Sequence, residues 1–463
     1  MRNQDELIAA IATPPGEGGI GIVRISGDGA KEIMNRMFDP QQPDRAWQSH
    51  RLYFGRIINP ANEREQVVID EGFAVYMAAP HSYTAQDVVE FQVHGGPVVL
   101  AKVLEAVLFC GARLAERGEF TLRAYLNGRL DLAEAEAVQD LICAKTPQAA
   151  LIAAGQLSGT LSRKVDAIGD EILELVADVV VGIDFPEDED VPEKEIIRAK
   201  VDRIVHEIDV LIEGAVAGRV YREGYSVVLC GAPNVGKSSL LNVLLEEERA
   251  IVTKVPGTTR DVIEEYVNIG GFPLLLSDTA GLRESGDEVE TIGIDKSRDK
   301  VSGAQMLLLV IDATVGLDEE AQSILAEHQD KPVLLVVNKC DKLNAAPILD
   351  QIKKQYPDQN MPAVSAKTGQ GIEDLKQKMV SFISGGHVFS QREAAVSNAR
   401  HQEALIKARQ SLLEVKQTLS KDGCFDTIDV DLQEAWQAIG EISGKTAGEE
   451  VIEKIFSTFC LGK

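Results

Sequence analysis

The sequence predicts a multidomain chain. An α+β N-terminal unit leads into a discontinuous all-α helical domain, and an α/β P-loop domain is inserted into that helical domain. Three observations predict this. Over residues 1–120, short alternating runs such as Gly19-Ile-Gly-Ile-Val-Arg-Ile-Ser26 and Gly72-Phe-Ala-Val-Tyr-Met77 are interleaved with helical patterns. Apolar residues then recur at three- and four-residue steps in two stretches far apart in the chain. Between those stretches, residues 224–384 alternate strand and helix patterns around a Gly-rich loop.

In the N-terminal unit, Pro97–Leu108 reads as a helix, while Thr13–Gly19 and His94-Gly-Gly96 read as tight turns. From about Leu122 the pattern turns helical. Leu161, Val165, Ile168, Ile172, Leu175 and Val179 form one apolar face. The acidic run Pro186-Glu-Asp-Glu-Asp190 interrupts it as a solvated connection. Helix resumes through Ile196, Val201, Ile204, Ile208 and Leu211 and stops near Gly224, which bounds a first helical part at 121–223. After Gly385-Gly386 a second part, 385–463, carries Leu405, Ala408, Leu412, Val415 and Leu419, then Val451, Ile455, Phe456 and Phe459. Two helical stretches, each apolar on one face, are expected to form one domain with residues 224–384 inserted, since a domain's termini commonly lie close together.

Composition narrows the function classes. With 463 residues and a net charge of −26, the chain has room for three cores and a field that disfavours non-specific nucleic-acid binding. No apolar run approaches the length of a membrane span. Cys110, Cys143, Cys230, Cys340, Cys424 and Cys460 show no C-x-x-C pairing. That pattern suits a reducing compartment, so a cytoplasmic protein is expected.

The chemistry is concentrated in residues 224–384. Gly231-Ala-Pro-Asn-Val-Gly-Lys-Ser238 fits the phosphate-binding loop G-x-x-x-x-G-K-[ST] between an apolar strand and a helix. Its glycines let backbone N–H groups converge on a phosphate, Lys237 supplies a point charge, and Ser238 is placed for magnesium. Asp278-Thr-Ala-Gly281 follows the apolar run Pro273–Ser277 and delivers an aspartate toward the metal. Asn338-Lys-Cys-Asp341 follows Pro332–Val337, and Asp341 can accept two N–H bonds from guanine N1 and N2, donors that adenine lacks. Ser365-Ala-Lys367 completes the base pocket. Together the four motifs specify a GTPase.

The GTP-binding set so read comprises Asn234, Val235, Gly236, Lys237, Ser238 and Ser239 in the loop, and Asp278, Thr279, Ala280 and Gly281 beyond it. Asn338, Lys339 and Asp341, with Ser365, Ala366 and Lys367, form the base side. A second switch is expected at Thr253, Lys254, Val255, Pro256, Gly257, Thr258 and Thr259, where a threonine would reach magnesium. Many small GTPases orient the attacking water with a glutamine after D-x-x-G. Here that position is Leu282, so Arg283, Glu284, Asp287, Glu288 and Glu290 are the candidates to position water or neutralise charge. The Asn234 amide oxygen is placed to ligate a monovalent cation.

The whole order of motifs resembles the MnmE (TrmE) family of tRNA-modification GTPases. The resemblance rests on Thr13–Gly27, His94-Gly-Gly96, Arg117-Gly-Glu-Phe-Thr-Leu-Arg-Ala-Tyr-Leu-Asn-Gly-Arg129 and its continuation to Ala137, the GTPase set, and Phe459-Cys-Leu-Gly-Lys463. It implies a folate-binding N-terminal fold that also makes a homodimer. It also implies a flavin- and NADH-dependent partner, MnmG, in a heterotetramer acting on wobble uridine of tRNA. The product is an aminomethyl or carboxymethylaminomethyl group at C5, with a tetrahydrofolate derivative (5,10-methylene- or 5-formyl-) as one-carbon donor. By the same resemblance, potassium is held by Asn234, Thr253, Val255 and Thr258, and magnesium by Ser238 and Thr259. Glu290 positions water, with Arg283 and Cys460 as further catalytic candidates. Arg24, Glu90, Arg129 and Lys463 correspond to the folate set, with Arg129 standing where lysine is usual, so charge is kept and geometry changes. Cys460 either faces the folate site or is a small buried residue at a helix end. The alternative to the modification reading is a GTPase switch that scaffolds RNA or ribosome assembly.

Overall fold

The computed structural model describes residues 6–41, 46–61, 67–184, 193–248, 266–278, 303–328, 331–342, 361–384, 393–421 and 425–463, with positions 301, 347, 348, 350, 352, 354 and 389 between them. The first layer is a seven-stranded sheet in the order β3-β4-β5-β6-β2-β1-β7. Its strands are β1 (Ile8–Ile11), β2 (Gly18–Ser26), β3 (Phe38–Pro40), β4 (Arg51–Ile58), β5 (Val68–Met77), β6 (Val88–Gly95) and β7 (Arg113–Leu114). All neighbours are antiparallel except β1 and β7. Alternation along the strands gives the sheet two unlike faces. One face buries Val23, Ile25, Tyr53, Ala74, Tyr76, Val89 and Phe91 under α1 (Ala30–Met37) and α2 (Pro97–Phe109). On the opposite face, Leu52, Phe54 and Phe73 remain exposed, and Arg24 pairs across the strands with Glu90.

The helical layer begins with α3 (Glu119–Leu126), α4 (Leu132–Cys143) and α5 (Pro147–Leu157) and continues through α6 (Thr160–Asp184) and α7 (Lys194–Glu223). Asp131 caps α4 in a reciprocal capping box with Glu134, so its start is locally encoded. The expected stripe of α6, Leu161 to Val179, lies in one core with Val201, Ile204 and Ile208 of α7. The same core takes Leu405, Ala408, Leu412 and Val415 of the later helix Ala399–Ser420 and Leu432, Ala435 and Ile439 of Phe425–Ser443. The helical unit is therefore discontinuous in sequence and continuous in space. Two stripe positions differ from expectation. Ile196 is 49% exposed while Ile197 is fully buried, and Val451 is 40% exposed while Ile452 is buried. In a run of two apolar residues, the helix rotation set by the partner decides which one faces inward.

Between the helical parts lies a five-stranded sheet in the order β12-β11-β8-β10-β9. Its strands are β8 (Tyr225–Cys230), β9 (Tyr266–Ile269), β10 (Phe272–Asp278), β11 (Met306–Asp312) and β12 (Val333–Asn338). All are parallel except the edge strand β9. Burial on both faces explains why β8, β11 and β12 read as nearly continuous aliphatic runs. The helices α8 (Lys237–Glu248), α9 (Glu319–Glu327) and α10 (Ile372–Ser384) flank this sheet. The helices Ala399–Ser420, Phe425–Ser443 and Glu449–Ser457 follow as α11, α12 and α13. The chain ends against the first sheet, where Leu461 bridges to Arg117 and Gly118 N–H donates to the Cys460 carbonyl.

Candidate functional site

β8 runs into the loop at Gly231, whose φ of 127° is a left-handed-side conformation suited to glycine. Gly236 has φ 99°, and a Cβ there would strike the Asn338 side chain. Neither position accepts a side chain, so the loop closes only with these glycines. Lys237 opens α8 and is 93% buried, and its ammonium donates to the Gly231 carbonyl at 2.7 Å and the Ala232 carbonyl at 2.9 Å. The cation thus sits on the loop's own carbonyls at the place where phosphates bring negative charge. Ser238 and Ser239 follow in the first turn of α8, whose N-terminal amides favour an anion.

The base side is tied to this loop by direct hydrogen bonds. The Asn338 amide donates to the Val235 carbonyl at 2.9 Å and its oxygen accepts from Ala366 N–H at 3.0 Å, so one side chain joins the phosphate loop to the Ser365–Lys367 turn. Lys339, at φ 65°, reaches the Asn234 carbonyl at 2.6 Å and Asp312 at 2.7 Å. Asp312 was invisible to motif reading. It is buried at the end of β11 and also accepts from Thr314. Burial works against its charge, but the bonds from Lys339 and Thr314 outweigh it and keep the carboxyl below its ordinary range. The clue in the sequence is an acidic residue directly after six apolar ones, Met306–Ile311. Asp341 is exposed, and the Ser365 hydroxyl donates to it at 2.7 Å, which holds its carboxyl down as an acceptor. Lys367 lies beyond it on the same turn. Asp278 ends β10 opposite Leu229 of β8, which puts its backbone at the phosphate-loop end of the sheet.

The expected residues Thr253, Lys254, Val255, Pro256, Gly257, Thr258, Thr259, Thr279, Ala280, Gly281, Arg283, Glu284, Asp287, Glu288 and Glu290, and the acidic run 186–190, lie outside the described residues.

A second cluster forms where the C-terminus meets the first sheet. The Arg24 guanidinium donates to Glu90 at 2.7 Å and to the Gly462 carbonyl at 3.5 Å. It lies 5.2 Å from the Tyr83 ring centroid and 5.7 Å from that of Phe120. Arg129 lies 5.0 Å from the same Tyr83 ring and donates to the Tyr83 carbonyl at 2.7 Å. Burial, and then the Arg24 charge, push the Lys463 ammonium below its ordinary range. Cys460 is exposed beside it rather than packed in a core. Residues 24, 90, 129 and 463 thus converge from four parts of the chain, and Tyr83 is the centre that sequence reading missed.

Comparison with known proteins finds relatives along the whole chain. The MnmE helical domain model matches residues 132–460, and the GTP-binding protein TrmE N-terminus model matches residues 7–129. A tRNA modification GTPase MnmE from Heliobacterium modesticaldum is 45% identical over 469 residues, covering 99% of both chains. The chain belongs to the MnmE family. The MnmE of Natranaerobius thermophilus is 41% identical over 460 residues, covering 99% of this chain and 100% of the relative. Among solved structures, the G domain of the T. maritima FeoB iron transporter is 29% identical, with a TM-score of 0.26, over 34% of this chain and 98% of that one. In this MnmE-family chain the helical match spans both helical segments, as the shared core requires. Among the described residues no helix is long and apolar enough to cross a membrane.

Proposed function

We propose that this chain binds and hydrolyses GTP and couples hydrolysis to C5 modification of wobble uridine in tRNA. The observation that carries the reading is the coexistence of two sites: a phosphate-and-guanine cradle and a cationic, aromatic cluster closed by the chain's own C-terminus. In the first, Lys237 leaves the loop carbonyls for the β- and γ-phosphates, and Asp341 accepts from the guanine N1 and N2 hydrogens. Ser238 and Thr259 would hold magnesium. Asn234, Thr253, Val255 and Thr258 would hold potassium, which would supply the positive charge that an arginine finger gives elsewhere. Glu290 positions the attacking water where Leu282 cannot, with Arg283 beside it in sequence.

At the second site, Arg24, Arg129 and Lys463 would hold a tetrahydrofolate derivative (5,10-methylene- or 5-formyl-), which would supply the one-carbon unit. Its carboxylates suit the Arg24, Arg129 and Lys463 cations, and an anion there would relieve the repulsion that Arg24 exerts on Lys463. Glu90 offers an acceptor, and Cys460 lies at the rim as the candidate reactive thiol. The open sheet face bearing Leu52, Phe54 and Phe73 supports a homodimer, since a contiguous apolar patch is covered in stable assemblies. The partner is MnmG, flavin- and NADH-dependent, in a heterotetramer working on tRNA in the cytoplasm. The domain limits 1–120, 121–223, 224–384 and 385–463 are proposed with this reading.

Mass-spectrometric nucleoside analysis of tRNA from cells lacking the protein tests it. C5-substituted wobble uridine is expected to disappear, and to return with the wild type but not with Asp278→Ala. Unchanged nucleosides would instead favour an assembly switch. For the cation, the GTPase rate should be higher in potassium than in sodium and should rise with protein concentration. Equal rates in both salts refute the potassium-and-dimer mechanism.

A further inference from the structure

The β9–β10 hairpin connects the phosphate end of the GTPase unit with the helical unit. β10 pairs in parallel with β8, so its Asp278 end lies beside the strand that enters the phosphate loop. At the other end, Ile269 pairs with Phe272 around a two-residue turn, Gly270 and Gly271, with φ 60° and 93°. A two-residue turn of this kind is short and stiff, so the tip moves with its strands.

Several helical-unit side chains hold the hairpin. The Thr146 hydroxyl donates to the Gly271 carbonyl at 2.8 Å, and the Lys145 ammonium sits 3.6 Å from the Tyr266 ring centroid. Tyr221 of α7 stacks on Phe272 at 4.1 Å. Its hydroxyl is buried with no hydrogen-bond partner among the described residues. An unmade bond of that kind is costly.

The grip lies directly on the end of α4. Lys145 also donates to the Glu223 carbonyl at 3.2 Å, and Arg222 to Asp140 at 2.8 Å, so α4 and α7 end in one node. From there α4 runs back to the C-terminal helix, where Leu132, Ala135 and Val138 share a core with Ile452, Phe456 and Phe459. Burial, and then the Cys460 thiol, push the Cys143 thiol up.

We propose that Lys145 and Thr146 form a joint that senses the nucleotide state through the β9–β10 hairpin and transmits it along α4 to the C-terminal segment Cys460–Lys463. The inference rests on the GTP-binding reading above and adds a route between the two sites. Linkage makes the route reciprocal: whatever nucleotide does to the C-terminal segment, a ligand held there does to nucleotide affinity.

The test measures the alkylation rate of Cys460 by peptide mass spectrometry, in GDP and in a non-hydrolysable GTP analogue, with nucleotide affinities determined on the same samples. In the wild type the two rates should differ by about fivefold or more, the lower range of ordinary coupling. Thr146→Asp is the decisive variant. Its carboxylate can still accept from Ala149 N–H as the cap of α5, but it cannot donate to Gly271. It should bind both nucleotides and lose the difference, whereas Thr146→Ser should keep it. Tyr266→Leu, which removes the ring under Lys145, should act like Thr146→Asp. Equal rates in a wild type that binds both nucleotides would overturn the joint, as would an undiminished difference in the Asp and Leu variants. A wild type that binds neither nucleotide would overturn the GTP reading, and this inference with it.

Discussion

In the proposed base pocket Asp341 would accept two guanine hydrogens, and the Ser365 hydroxyl, donating to one carboxylate oxygen, orients it. Asp341→Asn replaces one acceptor oxygen with a donor, which mismatches the guanine 2-amino group and matches a carbonyl there. Affinity for GTP should fall by roughly a hundredfold or more, as expected when a site built for particular hydrogen bonds meets the wrong partner. Xanthosine triphosphate should recover most of it. Competition binding with the two nucleotides checks this, and an unchanged preference for GTP would remove Asp341 from the base pocket. Such residues were legible because the nucleotide imposes both their identity and their spacing. Asp312 was not, because its task is to hold Lys339, and a second-line carboxylate has no motif of its own.

The helix α4 is held by charge as well as by packing. Glu136 is buried against Asn398, Arg400 and His401 of the second helical segment. Burial alone would raise its pKa, but the His401 imidazole and the Arg400 guanidinium outweigh it and bring the carboxyl down from 4.5 to about 2. A carboxylate depressed in the folded state stabilises the fold above its unfolded pKa, and that contribution is lost as pH falls through the folded value. The network should therefore weaken between about pH 4.5 and pH 2, by an amount on the order of 3 kcal/mol. Thermal unfolding across that window should show the loss in the wild type. Glu136→Gln should begin less stable and fall less steeply, so parallel curves would refute the assignment.

Backbones also approach closely where α7 meets the segment before α11. Gly218, inside α7, faces the Val396 carbonyl so closely that a Cβ would overlap it. In a free helix, glycine to alanine stabilises by up to ~1 kcal/mol. Here Gly218→Ala should instead destabilise by roughly 1–3 kcal/mol through overpacking. The sign decides, because a gain in stability would mean that α7 and the segment before α11 do not meet.

For the whole molecule, the open face of the first sheet matters most. Phe54 and Phe73 touch each other at 5.4 Å between centroids and are each 43% exposed. Phe54→Glu with Phe73→Glu should leave the sheet intact, since the opposite face carries its core, and should convert the proposed dimer to monomer. Sedimentation velocity reads this directly, and an unchanged mass would place the self-association surface elsewhere. The GTPase rate in potassium, proposed to rise with protein concentration, should lose that dependence in the same variant.

The sequence by itself determined the alternating and helical patterns, the insertion of an α/β unit between two helical stretches, and the nucleotide chemistry. Each of these depends on residue spacing within a short window, where backbone geometry and ligand shape leave few choices. Tertiary structure alone decided which of Ile196 and Ile197 faces the core, and that Glu136 pairs with Arg400 and His401. It also decided that Arg24, Tyr83 and Arg129 meet the last residues of the chain. Those contacts join residues up to 438 positions apart, so no local pattern encodes them. They exist because the packing of three cores brings distant segments together and leaves the final charges facing one another.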